Sequence, residues 1–372
     1  MPLTSTSGGP AGASSGAADD DATSNGDDTT GGDLETTGDE SDTSVATGRR
    51  VPAEWEPQEA VWMQWPGQWE VQYEPIFVDI IAAITAHERV HVVAATQARR
   101  NRASDQLAAA GIADAMVEFH VIPTDNAWMR DNGPRYVLVD GELTLQDWGF
   151  DAWGGNFGGQ IPWEADDDVP RAVAKILGMP REDYALVHER GDLEFNGVDT
   201  LITSFSVLSD RNPGMTEPEF SEIFEEAFGV ESVVYIEGFH PLDGTTGHVD
   251  GLARFVPSGA VVVGQISNPQ QDSTTAELFD DIATQIATQR PDLDLERMPF
   301  PAHTDYMNWL VGNDFVVSGA FDDPEADAAA KARLEAYFPG REVTMVQMAA
   351  LWADGGGVHC VTNDQPAWTL ER

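Results

Sequence analysis

From residue 51 onward, short apolar runs rich in β-branched residues alternate with stretches whose apolar residues recur on one helical face, and this alternation restricts the possible folds most. Pro75 opens a predicted helix with Phe77, Ile80, Ile81 and Ile84 on one side, and the run Val90, His91, Val92, Val93 follows as a strand. The same order of helix then strand is expected at 104–110 with 117–122, 169–177 with 184–187, 217–228 with 233–236, and 326–338 with 343–346. A further helix is expected at 275–289, and paired strands at 135–139 with 143–146 and at 255–257 with 261–263. These units return roughly every 60 residues without an exact repeat, which argues for one α/β domain over 51–372 with internal pseudo-symmetry.

Residues 1–50 do not share the pattern. They are nearly all Gly, Ser, Thr, Ala and Asp, with no aromatic residue. Too little apolar surface is present to offset the chain entropy of ordering, so a disordered acidic tail is expected there. Ten acids and two arginines place about −8 of the net charge of −44 in the tail, and the excess is therefore a property of the folded part. With 64 Asp and Glu against 20 Lys and Arg, the surface repels phosphate backbones and anionic lipid, so neither nucleic acid nor membrane is expected as a partner. Only Lys175 and Lys331 are lysines, and acid excess with lysine depletion points to a surface suited to concentrated salt, where repulsion is screened. No apolar run is long enough for a membrane span and no signal peptide is visible. A cytoplasmic location is the default, with export the alternative if a signal is missing from this start.

The chain has one cysteine, Cys360, which excludes an intramolecular disulfide and a thiolate zinc or iron-sulfur site. A lone cysteine is by default a small buried hydrophobe. Here it follows three glycines and a histidine and stands beside Thr362 and Asn363, an exposed, polar setting in which a thiolate can act as a nucleophile. His248 and Asp250 are two apart, so on a strand they share a face and suit proton transfer beside a bound cation; a surface histidine with a solvated aspartate fits the same spacing. Asp131 follows Trp128 and Arg130 in a turn marked by Gly133 and Pro134, where an ordinary turn aspartate paired with arginine would also fit.

In this order, the segments WMRDNGP (128–134), DWGFDAWGG (147–155), RNP (211–213), GHVDGLARFV (247–256), FPGREV (338–343) and GGGVHCVT (355–362) resemble the agmatine deiminase and bacterial peptidylarginine deiminase family of guanidine-modifying enzymes. The resemblance spans most of residues 51–372. It implies an α/β pentein propeller, with five pseudo-symmetric ββαβ units around a central substrate tunnel, and a reaction without a metal or other cofactor. Carried over at matching positions, it implies Cys360 as nucleophile, His248 as general acid and base, and Asp131 and Asp250 as the carboxylates gripping a guanidinium. The segment that in the family reads E-G-G is ERGDLEF here, which implies Glu189 as the glutamate assisting the histidine. Trp128, three residues before Asp131, is expected to wall the guanidinium pocket through a cation-π contact.

Two positions depart from the family form. Arg190 replaces a glycine; it is expected to pair with Glu189 or Asp192 at the rim, the sharper alternative being that it reads a substrate carboxylate. Asp354 enters the glycine run, with Gly357 where many members carry asparagine, and could alter the loop around Cys360. The leading expectation is deimination of agmatine to N-carbamoylputrescine and ammonia through a thiouronium on Cys360. The partner expected is thus a small cationic guanidine, and a homo-oligomer is allowed. A deiminase of free or C-terminal peptidyl arginine is the nearest alternative, and a non-catalytic cation-binding protein the alternative of another class. A metal-dependent amidinohydrolase would need clustered ligands, and the eight histidines are scattered along the sequence.

Overall fold

The computed structural model describes residues 48–158 and 161–367; all of the expected acidic tail before residue 48 lies outside them. Among the described residues the strands form five sheets built on one plan. In the first, Asn363–Pro366 pairs antiparallel with Gln58–Gln64, which runs parallel to Arg89–Ala94, itself parallel to Val117–Val121. In the second, Arg49–Arg50, Arg135–Val139 and Glu142–Gly149 are successively antiparallel and Arg181–Val187 joins in parallel. The other three each pair a short antiparallel strand with a central one and add a parallel third. They are Glu194–Phe195 with Thr200–Ser204 and Ser232–Ile236, Ala253–Phe255 with Val261–Ile266 and Leu295–Phe300, and Leu310–Gly312 with Phe315–Ala320 and Glu342–Gln347.

Parallel neighbours cannot be joined by a tight turn, so each unit needs a crossover. Helices Glu74–Thr85, Val169–Leu177, Glu217–Phe228, Ser273–Gln289 and Pro324–Tyr337 supply it. The helix expected at 104–110 begins earlier, at Gln97, because the Thr96 side chain caps its first turn by accepting from the Arg99 N–H. The apolar periodicity becomes the core directly: Phe77, Ile80, Ile81 and Ile84 pack in one cluster with Val90 and Val92, and Phe279, Ile282 and Ile286 pack with Val261, Val262 and Val263.

Two features of this plan place the chemistry. The last strand of the chain closes the first sheet, so residues more than 290 apart in sequence, such as Asn363 and Trp62, are register partners. In addition, the antiparallel strand that begins each unit is preceded by a short turn or helical turn. These entry segments are Met129–Asn132, Arg190–Asp192, Val249–Gly251, residues 305–309 and His359–Val361. They carry or adjoin Asp131, Glu189, His248 with Asp250, Asn308 and Cys360 respectively.

Arg49 and Arg50, just ahead of the expected boundary at residue 51, form a strand of the second sheet. Arg49 pairs with Val139 through the backbone and reaches Glu182 with both terminal nitrogens at 2.7 and 2.6 Å. Its Nη1 also donates to the Ala227 carbonyl at 3.4 Å near the end of helix Glu217–Phe228, which Thr216 and Glu219 open as a capping box and Gly229 closes at φ 72°. A Cβ at Gly229 would lie 2.1 Å from the Arg49 oxygen. Gly229→Ala is therefore expected to cost more than about 1 kcal/mol, read as a lower urea midpoint at unchanged slope.

Candidate active site

Two of the entry segments, through Asp131 and Cys360, line a cavity of about 460 Å³ together with Trp128, Trp153, Tyr73 and Asp354, and the other three segments reach it through contacts to Asp131, His248 or Cys360. Asp131 stands in the helical turn Met129–Asn132, where its Oδ2 accepts from Trp153 Nε1 at 2.9 Å. Trp153 is presented by a run of left-handed backbone, Ala152, Trp153, Gly154 and Gly155, a conformation that non-glycine residues adopt only under constraint from their surroundings. Trp128 lines the same cavity and lies edge-on to both Trp153 and Tyr73.

His248 does not sit on a strand beside Asp250. It precedes the 3-10 turn Val249–Gly251, and that turn sends the two side chains to different partners. His248 lies between two carboxylates, with Nδ1 3.6 Å from Asp131 Oδ1 and Nε2 3.5 Å from Glu189 Oε2. Asp250 instead meets His359 Nδ1 at 2.8 Å and lies 3.7 Å from Cys360 Sγ. Glu189 is fully buried, and its other oxygen accepts from Arg211 Nε at 2.8 Å. Asp131 Oδ1, Glu189 Oε2 and His248 Nε2 are buried without a hydrogen-bond partner among the described residues. Buried polar atoms left in this state are where a polar ligand gains most.

Cys360 is buried, not exposed, on the turn His359–Val361. Asn308 Nδ2 approaches its sulfur at 3.2 Å, and the Asn308 side-chain oxygen accepts from the Cys360 N–H at 3.2 Å. Burial, then the charges of Asp250 and Asp131, push the thiol well above its ordinary range. Burial opposes the charged form of His248 too, but Asp131, Glu189 and Asp250 outweigh it and hold the imidazolium up to about 10. Glu189 is held down at about 2, since His248 and Arg211 overcome its burial. Asp131 rises to about 6, chiefly through burial, with Asp250 and Glu189 adding to the rise against the opposing charge of His248. Asp250 stays below the usual carboxylate range, its burial offset by His359, His248 and Arg254.

Arg190 pairs with neither Glu189 nor Asp192. Those acids are already taken, Glu189 by Arg211 and Asp192 by His188, Thr203 and the Ser204 N–H. Arg190 turns instead to Asp364 Oδ1 and Asn363 Oδ1, both at 2.7 Å, in a separate polar recess shared with Arg130 and Arg135. It does not line the cavity of Cys360, which also removes the idea that it reads a substrate carboxylate there. Asp354 does line that cavity and accepts a short hydrogen bond from the Tyr73 hydroxyl. Gly357 has a steric reason, because a Cβ there would lie 2.3 Å from Asn308 Oδ1, the atom that holds the Cys360 N–H.

Sequence reasoning missed Asn308, whose segment has no unusual composition, and the contacts of His359 to Asp250 and Glu54, both at 2.8 Å. Trp153 and Arg211 lay in quoted segments, but nothing local shows that they hold Asp131 and Glu189.

The sequence pattern described as Porphyromonas-type peptidyl-arginine deiminase matches residues 50–366. An agmatine deiminase of Pseudomonas aeruginosa (strain LESB58) is 32% identical over 370 residues, covering 87% of this chain and 97% of that protein. One of Pseudomonas putida (strain KT2440) is 32% identical over 368 residues with the same coverage. Among solved structures, the agmatine deiminase of Enterococcus faecalis, described as catalysing its reaction, superposes with a TM-score of 0.77 at 26% identity, over 87% of this chain and 97% of that one.

Because the folded-state pKa of His248 is raised from 6.5 to about 10, its contribution to stability is fully present below pH 6.5 and is lost as pH rises through about 10. The difference in unfolding free energy between the native chain and His248→Gln should therefore shrink across that interval in urea titrations, and a flat difference would contradict the buried ion cluster. A Cβ on Gly191 would lie 2.6 Å from both Asp131 Oδ1 and His248 Nδ1, so Gly191→Ala should perturb this cluster more than the fold. The expected signature is a displaced His248 titration by NMR, with the thermal midpoint moved by no more than roughly 5 °C.

Proposed function

The chain belongs to the Porphyromonas-type peptidyl-arginine deiminase family, and on that premise we propose that it is a hydrolase that deiminates agmatine to N-carbamoylputrescine and ammonia. The observation that carries the reading is the character of the cavity. Glu70, Asp131 and Asp354 line it together with Tyr73, Trp69, Trp128 and Trp153, and no lysine, arginine or histidine does so among the described residues. A cation at each end of a flexible apolar chain fits such a lining. The carboxylate of free or C-terminal arginine would find no cationic partner and would face like charge. Of the three acids, Glu70 accepts from the backbone N–H groups of Gly67 and Ala127, which leaves Asp354 as the acid for the distal ammonium.

In this reading the guanidinium enters between Asp131 and Asp250, whose charges add to burial in keeping Cys360 protonated in the free enzyme. The incoming cation offsets those charges, so the thiol proton is released to solvent and Sγ forms a bond to the guanidinium carbon. His248, held cationic by Asp131 and Glu189, gives its proton to one terminal nitrogen of the neutral adduct. Ammonia leaves, and a cationic thiouronium remains on sulfur. The same imidazole, now neutral, takes a proton from the attacking water. Collapse of the second adduct breaks the C–S bond, and the hydroxyl proton passes to sulfur as the ureido product forms. Asn308 Nδ2 is placed to stabilise the sulfur while it carries charge. The product is the kind of compound that a second hydrolysis would turn into putrescine. The acid-rich, lysine-poor surface supports work in molar salt, and activity is expected to rise with potassium chloride.

Ammonia release in molar salt, over agmatine, arginine and an arginine-ended peptide, tests the reading. Agmatine should be the best substrate and Cys360→Ala should lose more than about 10³-fold in turnover while still binding agmatine. Preference for arginine, or unchanged turnover in Cys360→Ala, would refute it. Asp354→Asn should raise KM for agmatine by up to about tenfold with little change in kcat, as expected for loss of a partly screened ion pair away from the reacting carbon.

A further inference from the structure

Two of the eight histidines, scattered in sequence, come together on the first sheet. His91 and Glu118 are register partners on the adjacent parallel strands Arg89–Ala94 and Val117–Val121, and His120 lies two residues beyond Glu118 on the same face. His91 Nδ1 and His120 Nε2 are 2.9 Å apart. The Glu118 carboxylate spans the pair, with one oxygen 3.8 Å from His91 Nδ1 and the other 3.8 Å from His120 Nε2. Beneath both rings lies the indole of Trp62, stacked at 4.2 Å on His91 and 5.0 Å on His120 and fixed by its own hydrogen bond to Gln365.

We propose that His91, Glu118 and His120 form a binding site for a first-row divalent transition ion of the zinc, nickel or copper type. Two ring nitrogens 2.9 Å apart have the spacing of ligands at right angles about an ion roughly 2.05 Å from each. Their contact requires that one ring turn a lone pair toward the other, while the second ring donates its N–H there and takes its other tautomer when both nitrogens coordinate. Glu118 is the more exposed member and supplies the third donor by a small side-chain rotation. Imidazole with a single carboxylate selects these ions over magnesium or calcium, which prefer all-oxygen sites. None of the three residues lines the cavity of Cys360, so the site is separate from the proposed reaction. Bound there, an ion would clip two neighbouring strands of the sheet that the Cys360 segment closes.

The test uses the full chain, stripped with chelator and carrying Cys360→Ala so that the one thiol cannot compete. Copper(II) is followed by electron paramagnetic resonance and zinc(II) by calorimetry. One copper per chain with hyperfine structure from two nitrogens is expected, copper should displace zinc, and the thermal midpoint should rise with either ion. His120→Gln should remove the second nitrogen, and the surface variant Glu118→Gln, which leaves the packing intact, should weaken zinc at least about tenfold. No tight binding, an all-oxygen copper spectrum, or identical binding in both variants would overturn the proposal.

Discussion

Three carboxylates, Asp131, Glu189 and Asp250, are buried around His248, two of them acting on the Cys360 thiol, and burial alone would drive all three toward the neutral form. The arrangement persists because cations are shared among them: Arg211 holds one side of Glu189, His359 meets Asp250, and the imidazolium of His248 lies between Asp131 and Glu189. The compensation is incomplete. One oxygen each of Asp131 and Glu189 faces His248 without a hydrogen bond among the described residues and the thiol is pushed toward its protonated form, so the site has the electrostatics of a receptor for one more cation. A guanidinium with its several N–H groups meets that demand in both charge and donor count.

The fold makes this concentration of charge tolerable by spreading its covalent support. Asp131, Glu189 and Asp250 each come from a different entry segment, every segment leads into an antiparallel strand, and each strand is pinned into its own sheet. No entry segment has to hold two of these three carboxylates. Cys360 depends on the longest of these closures, since its turn is placed only when Asn363–Pro366 docks on Gln58–Gln64. Asn308 then fixes the turn by gripping both the N–H and the sulfur of Cys360, which is why a side chain at Gly357 is not accommodated.

The helices and strands were largely legible in the order of residues because a helix buries one stripe and a central strand a continuous run. The segment 74–93 is the clearest case, where Phe77, Ile80, Ile81 and Ile84 fall at helical spacing just before Val90 to Val93. The site was legible as residue types in marked segments, with Cys360, His248, Asp131, Asp250, Glu189 and Trp128 all brought to one place. Their environments were not. Glycines and polar neighbours around Cys360 suggested exposure, yet those glycines allow Asn308 and Trp128 to pack against the turn and bury it.

Arg190 shows the limit most directly. Its sequence neighbours Glu189 and Asp192 are both acids, but Arg211 and His188 reach them first, and Arg190 is left to Asp364, 174 residues away. The sequence by itself determined the repeating α/β plan, the lone nucleophile candidate and the acids available to a cationic substrate, because these follow from periodicity and inventory. Only the tertiary structure decided which ions pair, which atoms are left unpartnered, and that His91, Glu118 and His120 converge. Pairing in a buried cluster is settled by competition among groups distant in sequence, and the outcome depends on distances that no local pattern encodes.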